Sequence, residues 1–199
     1  MEIVESDERR KILQEYNHRL NNDLQAVMAF IKLQKRFGID SEEIINFSYV
    51  SIASISTIQN QIYNSEDEES KIGVCEFFKE FIKTLEDYYA KSNAIFSYEI
   101  ENDFDMGPKK MFHLMLLLNE MVNLSLDGAK DDSDNKISFN LEKVGEECIL
   151  NYSDNSLKIK DRISQSDINK MLFDQLIKQM DGSLESTSED SFSIKFSYE

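Results

Sequence analysis

Two histidines, His18 and His113, are the only imidazoles in this chain of 199 residues, and the first sits in a run suited to chemistry. In "NHRLNNDLQAVMAFIKLQ", residues 17–34, Arg19 follows His18 directly and Asn22 comes one helical turn later. An imidazole with a free ring nitrogen is a nucleophile near neutral pH. An amide one turn on can hydrogen-bond the ring or whatever the ring carries. Other chemistries lack their residues. No Ser-His-Asp or Cys-His arrangement is readable, and HExxH, GxGxxG and GxxxxGK[ST] are absent. The six glycines are unclustered, so no Gly-rich loop cradles a phosphate. Cys75 and Cys148 stand alone, which argues against a zinc site or a redox pair. His113, inside "KKMFHLMLLLNEM", reads as a packed or boundary histidine.

The element that must position His18 is a helix predicted from Asp7 to about Phe37. Ser6 or Asp7 can cap it, Lys35 and Arg36 suit its last turn, and Gly38 supplies a stop. Its apolar stripe is Leu13, Tyr16, Leu20, Leu24, Val27 and Ile31, spaced by three or four residues. His18 lies about 200° from both Tyr16 and Leu20, so it points into water. Gln14, Asn22, Gln25, Ala29 and Lys32 share that exposed strip, and small Ala26 and Ala29 leave the surface open to a partner. The plainer reading of the same run is a solvated helix of mixed charge.

A second helix begins at Ser41, which is expected to cap it, with Glu42 and Glu43 in its first turn. It runs to about Tyr63, with Ile45, Ile52, Ile55, Ile58 and Ile62 as its buried candidates. The short connection makes the two helices antiparallel neighbours. One hairpin cannot cover its own stripe, whereas two hairpins from two chains can, so a homodimeric four-helix bundle is expected. The acidic break "NSEDEESKIG" divides the chain into a helical hairpin, 1–66, and a second domain, 67–199. There, "VCEFFKEFIKTLEDYYAK", "MFHLMLLLNEMVNLSL" and "DINKMLFDQLIKQMDG" read as helices. "AIFSYEIE", a hairpin turning at Val144-Gly145, and the closing "SLESTSEDSFSIKFSYE" read as strands. Helices alternating with largely antiparallel strand pairs predict a two-layer α+β sandwich.

Composition narrows the partners. The chain is 41% hydrophobic and 30% charged, ordinary enough for a packed core. No apolar run reaches the ~18 residues of a membrane span, and the N-terminus does not read as a signal peptide, so a reduced cytoplasmic protein is expected. A formal net charge of -16 speaks against nucleic acid and anionic membranes. Residues 1–36 carry seven Lys/Arg and six Asp/Glu, which makes the His18 segment the least acidic part of the molecule.

At this point the residues resemble a family. "HRLNNDLQAVMAFIKLQ" is similar to the phosphoacceptor box of the HisKA_2/HWE-like sensor histidine kinases, with the His-Arg pair, Asn22, Leu24-Gln25 and Leu33-Gln34 in register. "SIASISTIQNQIYNSEDEESKIGVCEFFKEFIKTL" resembles the second helix and linker. "LLLNEMVNLSLDGA" resembles the N-box, "NYSDN" the first glycine box, and "LIKQMDGSLESTSEDSFSIKF" the closing helix and strands of the ATP-binding domain. The fold implied is a helical hairpin followed by a degenerate GHKL-like α+β domain, that is, one related to histidine kinase ATPases.

The departures from the pattern carry the functional expectation. Leu124 stands where the family has its magnesium-holding asparagine. Asn123 is adjacent but rotated by about 100° on the helix. Asp127-Gly128 replaces a lysine-histidine pair, Ser156 replaces a glycine, and "SQSDINKM" offers no second glycine box. Glu120, and Asp154 with Asn155, survive. Losing the metal ligand and the phosphate-binding amides removes what positions a γ-phosphoryl, so no cofactor is expected on this chain. What the resemblance then implies is a histidine phosphotransferase of a phosphorelay. His18 would be its phosphoacceptor, with Arg19 and Asn22 in support and Gln14, Gln25, Ala29 and Lys32 as docking surface. Its partners would be receiver domains that bring the magnesium. A non-catalytic regulator and an active kinase with an atypical nucleotide site are the alternatives.

Overall fold

The computed structural model describes residues 2–64, 71–90, 93–126, 135–155, 163, 166–186 and 191–198, without the side chains of residues 2–13, 64 and 168. The linker residues 65–70, Asp127, Gly128 and Ser156 therefore lie outside the described residues, as does part of "SQSDINKM". The chain forms two compact units, Met1–Ile44 and Ile45–Glu199.

The first unit is dominated by helix α1, Glu2–Arg36, which starts earlier than the capping residues suggested. It ends as expected at Gly38, whose φ of 78° few side chains tolerate. Around that glycine, Ile39 N donates to Gln34 O at 3.1 Å and Gly38 N to Lys35 O at 3.2 Å, closing the last carbonyls. Asp40, rather than Ser41, caps the next helix. Its Oδ1 accepts from Glu42 N at 2.8 Å, because a carboxylate one position earlier reaches the first free amides.

The second unit holds helix α2, Ser41–Asn64, apart from its first turn, together with a mixed sheet domain. Strand β1, Ile72–Gly73, pairs with β3, Asp105–Met106. Helix α3, Val74–Tyr88, places Val74, Phe77, Phe78, Phe81, Ile82 and Leu85 on one buried face. Helix α4, Pro108–Leu126, is the most buried element, with proline at the first position where its missing N–H costs nothing. Helix α5 is Asp167–Gln179, capped by Ser166 Oγ, which accepts from Asn169 N. The main sheet runs β2 (Ala94–Glu101), β4 (Asn135–Val144), β5 (Glu147–Asp154), β7 (Ser191–Ser197), β6 (Ser183–Ser186). All neighbours are antiparallel except β2 and β4, which are parallel. That pairing is the helical crossover through α4, which strand alternation alone did not reveal.

Ile137, Phe139 and Leu141 of β4, Leu150 and Tyr152 of β5 and Phe192 and Ile194 of β7 are buried in the sheet domain. Helices α3, α4 and α5 meet β2, β4 and β6 respectively. The alternate residues carry a polar ladder across four strands. Ser193 Oγ donates to Asn151, Asn151 to Asn140, and Asn140 to Glu99. This is the two-layer arrangement that a sheet with one apolar face requires.

Of the five expected core residues of α2, Ile55 and Ile58 are buried, Ile62 is half-buried, and two are not in the core. Ile45 and Ile52 are 62% and 55% exposed, and Tyr49 beside them 52%. Phe47, Val50, Ser51, Ser54, Ile55 and Ile58 are buried instead. The helix carries apolar residues on more than one face, so isoleucines alone did not mark the one turned inward.

Candidate functional site

On α1, His18, Gln14, Asn22, Gln25, Ala29 and Lys32 are all exposed, as the helical phase requires, while Arg19 is half-covered. Asn22 lies four residues after His18, and its Nδ2 donates to the imidazole Nδ1 at 3.1 Å. The ring is thereby oriented by its own helix, with Nε2 directed away from that contact.

Asp23 was not singled out by the sequence. It falls three residues after Leu20 and four before Val27, on the apolar stripe, and a carboxylate at that phase was the signal available. Burial pushes its carboxyl up to about 6, against the opposing positive charge of Arg19. The Arg19 charge thus acts on a carboxyl of its own helix.

In the sheet domain, α4 and the end of β5 meet through hydroxyl groups. Ser125 Oγ donates to Asp154 Oδ2 at 2.7 Å, and the Tyr152 hydroxyl meets the same Ser125 oxygen. All three residues are buried. Burial and the adjacent Asp154 charge hold the Tyr152 phenol protonated well beyond its usual range, so it remains a donor. Its ring stands 5.2 Å from that of Phe192 and 5.4 Å from that of Phe139. Asp154 is therefore built into the core by aromatic and hydroxyl neighbours that no local motif identified.

The remaining positions have other occupations. Leu124 is buried and offers no donor atom to a metal. Asn123 Oδ1 accepts from the Tyr89 hydroxyl at 2.9 Å, so its side chain turns toward the end of α3. Asn155 Oδ1 accepts from Lys136 N at 2.7 Å and is held on β4. Glu120 is buried on α4. Among the described residues, no group of three or more His, Cys, Asp or Glu is placed to hold a metal ion. No helix among them is long and apolar enough to cross a membrane.

His113 is half-buried. It lies against Gln179 at the end of α5, where Lys110 Nζ also donates to Met180 O at 3.0 Å and pairs with Asp181 at 2.8 Å. Burial, then Lys109 and Lys110, lower its pKa, which marks a helix-end contact on the packed side of α4.

Two long helices followed by a mixed sheet domain are an order of elements also found in solved histidine kinase domains. Residues 15–89 match the family model HisKA_2, described as "Histidine kinase". The histidine kinase domain of the blue-light activated histidine kinase EL346 from Erythrobacter litoralis is similar over 94% of this chain and 90% of its own, at 10% identity and a TM-score of 0.67. The longer EL346 chain matches at 12% identity and a TM-score of 0.67, and the present chain spans 62% of its length. The histidine kinase AdeS of Acinetobacter baumannii matches over 91% of this chain and 98% of its own, at 13% identity and a TM-score of 0.49. No curated protein matches in sequence. The matched family segment begins just before His18, and the fold over nearly the whole chain is similar to that of the EL346 histidine kinase domain.

Proposed function

We propose that this protein is a histidine phosphotransferase of a two-component phosphorelay. The observation that carries the reading is the contrast between its two parts. His18 is exposed, with an asparagine amide on its ring, while Asp154 of the ATPase-like domain is buried against Ser125 and Leu124 replaces a metal ligand. In the forward step, Nε2 of His18 attacks the phosphorus of a receiver's aspartyl phosphate. The acyl phosphate P–O bond breaks and the receiver carboxylate leaves. A second receiver aspartate then takes the phosphoryl group and the imidazole leaves. Turning the Asn22 amide by 180° presents Oδ1 to the ring, which accepts from Nδ1–H and keeps the lone pair on Nε2. The receiver supplies magnesium and charge stabilisation, so this chain contributes placement.

Arg19, Gln14, Gln25, Ala29 and Lys32 supply the surface against which the acidic receiver pocket docks, on the least acidic segment of a chain of net charge -16. Ile45, Tyr49 and Ile52 form an exposed apolar stripe on α2, which supports a homodimer. The working compartment is the cytoplasm.

The test is transfer of label from a phosphorylated receiver to the chain and on to a second receiver, with the His18→Ala variant as control. Label that reaches the second receiver unchanged in that variant removes the proposal. Binding of the receiver without label on the wild-type protein assigns a purely regulatory role instead.

A further inference from the structure

Five contacts tie α2 and α3 to each other or to α4, all inside one compact unit. Asn119 of α4 is fully buried, and its Nδ2 donates to both Phe47 O and Ser51 Oγ of α2, each at 2.8 Å. The Tyr88 hydroxyl, at the end of α3, donates to Asn46 Oδ1 of α2 at 2.6 Å. The Tyr88 ring stacks on Tyr49 of α2 with centroids 4.5 Å apart. Tyr89, the next residue, stands edge-on to Tyr88 at 5.0 Å and donates to Asn123 Oδ1 of α4.

The chemistry of this seam separates it from ordinary apolar packing. Two apolar helix faces can slide or hinge with little change in energy. A buried amide whose two N–H groups are spent on a helix carbonyl and a serine hydroxyl cannot, because shifting α2 by one residue takes both acceptors away from the Asn119 amide inside the core. The asparagines at positions 119 and 123 lie one turn apart on α4 and reach α2 and α3 respectively.

We propose that the sheet domain is a fixed brace on α2, with α2, α3 and α4 moving as one rigid body latched by Asn119. Residues on the helix that resembles an N-box thus hold the adjacent helix in place. This inference is independent of whether His18 carries a phosphoryl group.

Spin-label distances on the full chain test it. Labels are placed at exposed Asn60 of α2 and exposed Lys170 of α5, in a Cys75→Ser background and diluted with unlabelled chain. Cys148 is buried, with its thiol pushed up to about 12 by that burial, and does not take label. The brace predicts one distance peak no wider than that of a control pair, Lys136 and Lys170, inside the sheet domain. A broader or two-peaked distribution in the wild type overturns it. Asn119→Leu keeps the shape and removes both donors, and it should broaden the Asn60–Lys170 peak while leaving the control peak unchanged. An unbroadened peak in a folded Asn119→Leu protein also overturns the latch. If that variant does not fold, the wild-type comparison still decides.

Discussion

Ser125 Oγ and Asp154 Oδ2 are joined by a 2.7 Å hydrogen bond in the core of the sheet domain, 29 residues apart in sequence. The carboxylate is thereby committed to the protein's own hydroxyl groups. Ser125→Ala should cost about 1–3 kcal/mol of unfolding free energy, because it leaves a buried acceptor short of a donor. Tyr152→Phe, which leaves the Ser125 bond in place, should cost about 1 kcal/mol. Urea denaturation measures both. Magnesium-ATP should leave the wild-type midpoint unchanged, and a rise with nucleotide concentration would restore the kinase reading.

Asn22→Ala should slow transfer of label to His18 by about fivefold without changing the fold, the worth of one hydrogen bond of about 1 kcal/mol that orients a nucleophile. Rapid-quench transfer from a phosphorylated receiver measures the rate, and circular dichroism checks the helix. An unchanged rate would reduce Asn22 to a surface residue that happens to touch the ring.

Asp23→Asn should stabilise the protein near neutral pH and change little near pH 4. The wild-type carboxyl titrates at about 6 in the folded chain against a reference value of 3.8. Below the reference value it is neutral in both states and costs nothing. As pH rises through that window the unfolded chain ionises first, so stability falls, and the cost is complete above about 6. Solvent screening of this half-exposed group limits the gain from the amide to about 1 kcal/mol. Denaturation of both proteins at pH 4 and pH 7.5 measures the difference, and an equal effect at the two values would show that titration is not its source.

Ile52→Glu should turn a dimer into a monomer at micromolar concentration with its helix content unchanged. The substitution puts a charge on a face that otherwise removes about 1.5–3 kcal/mol worth of isoleucine from water in each copy. Sedimentation velocity across a concentration series measures it. A wild-type chain that is monomeric throughout would leave the exposed stripe without a second copy.

Features set by local spacing were legible in the sequence. The phase of α1 fixes His18 and Asn22 on one exposed strip, because side chains four residues apart on a helix must be neighbours. Gly38 ends α1 because its backbone conformation excludes most side chains. The α2 assignment shows where local reasoning stops. Ile45 and Ile52 have the composition of core residues, yet they are exposed while Ser51 and Ser54 are buried. Which face turns inward depends on the groups that Asn119 of α4 presents, 68 residues beyond Ser51.

By itself, then, the sequence determined the helices and the exposed imidazole with its amide neighbour, since each follows from residue type and a fixed helical or strand period, while the departures around Leu124 are read from the family resemblance. Only the tertiary structure decided that Asp154 is held by Ser125 and Tyr152, that Asn119 and Asn123 grip neighbouring helices, and that Asp23 is buried enough to titrate near 6. Those outcomes depend on hydrogen bonds between distant segments and on exclusion of water. Both arise only when the chain has packed.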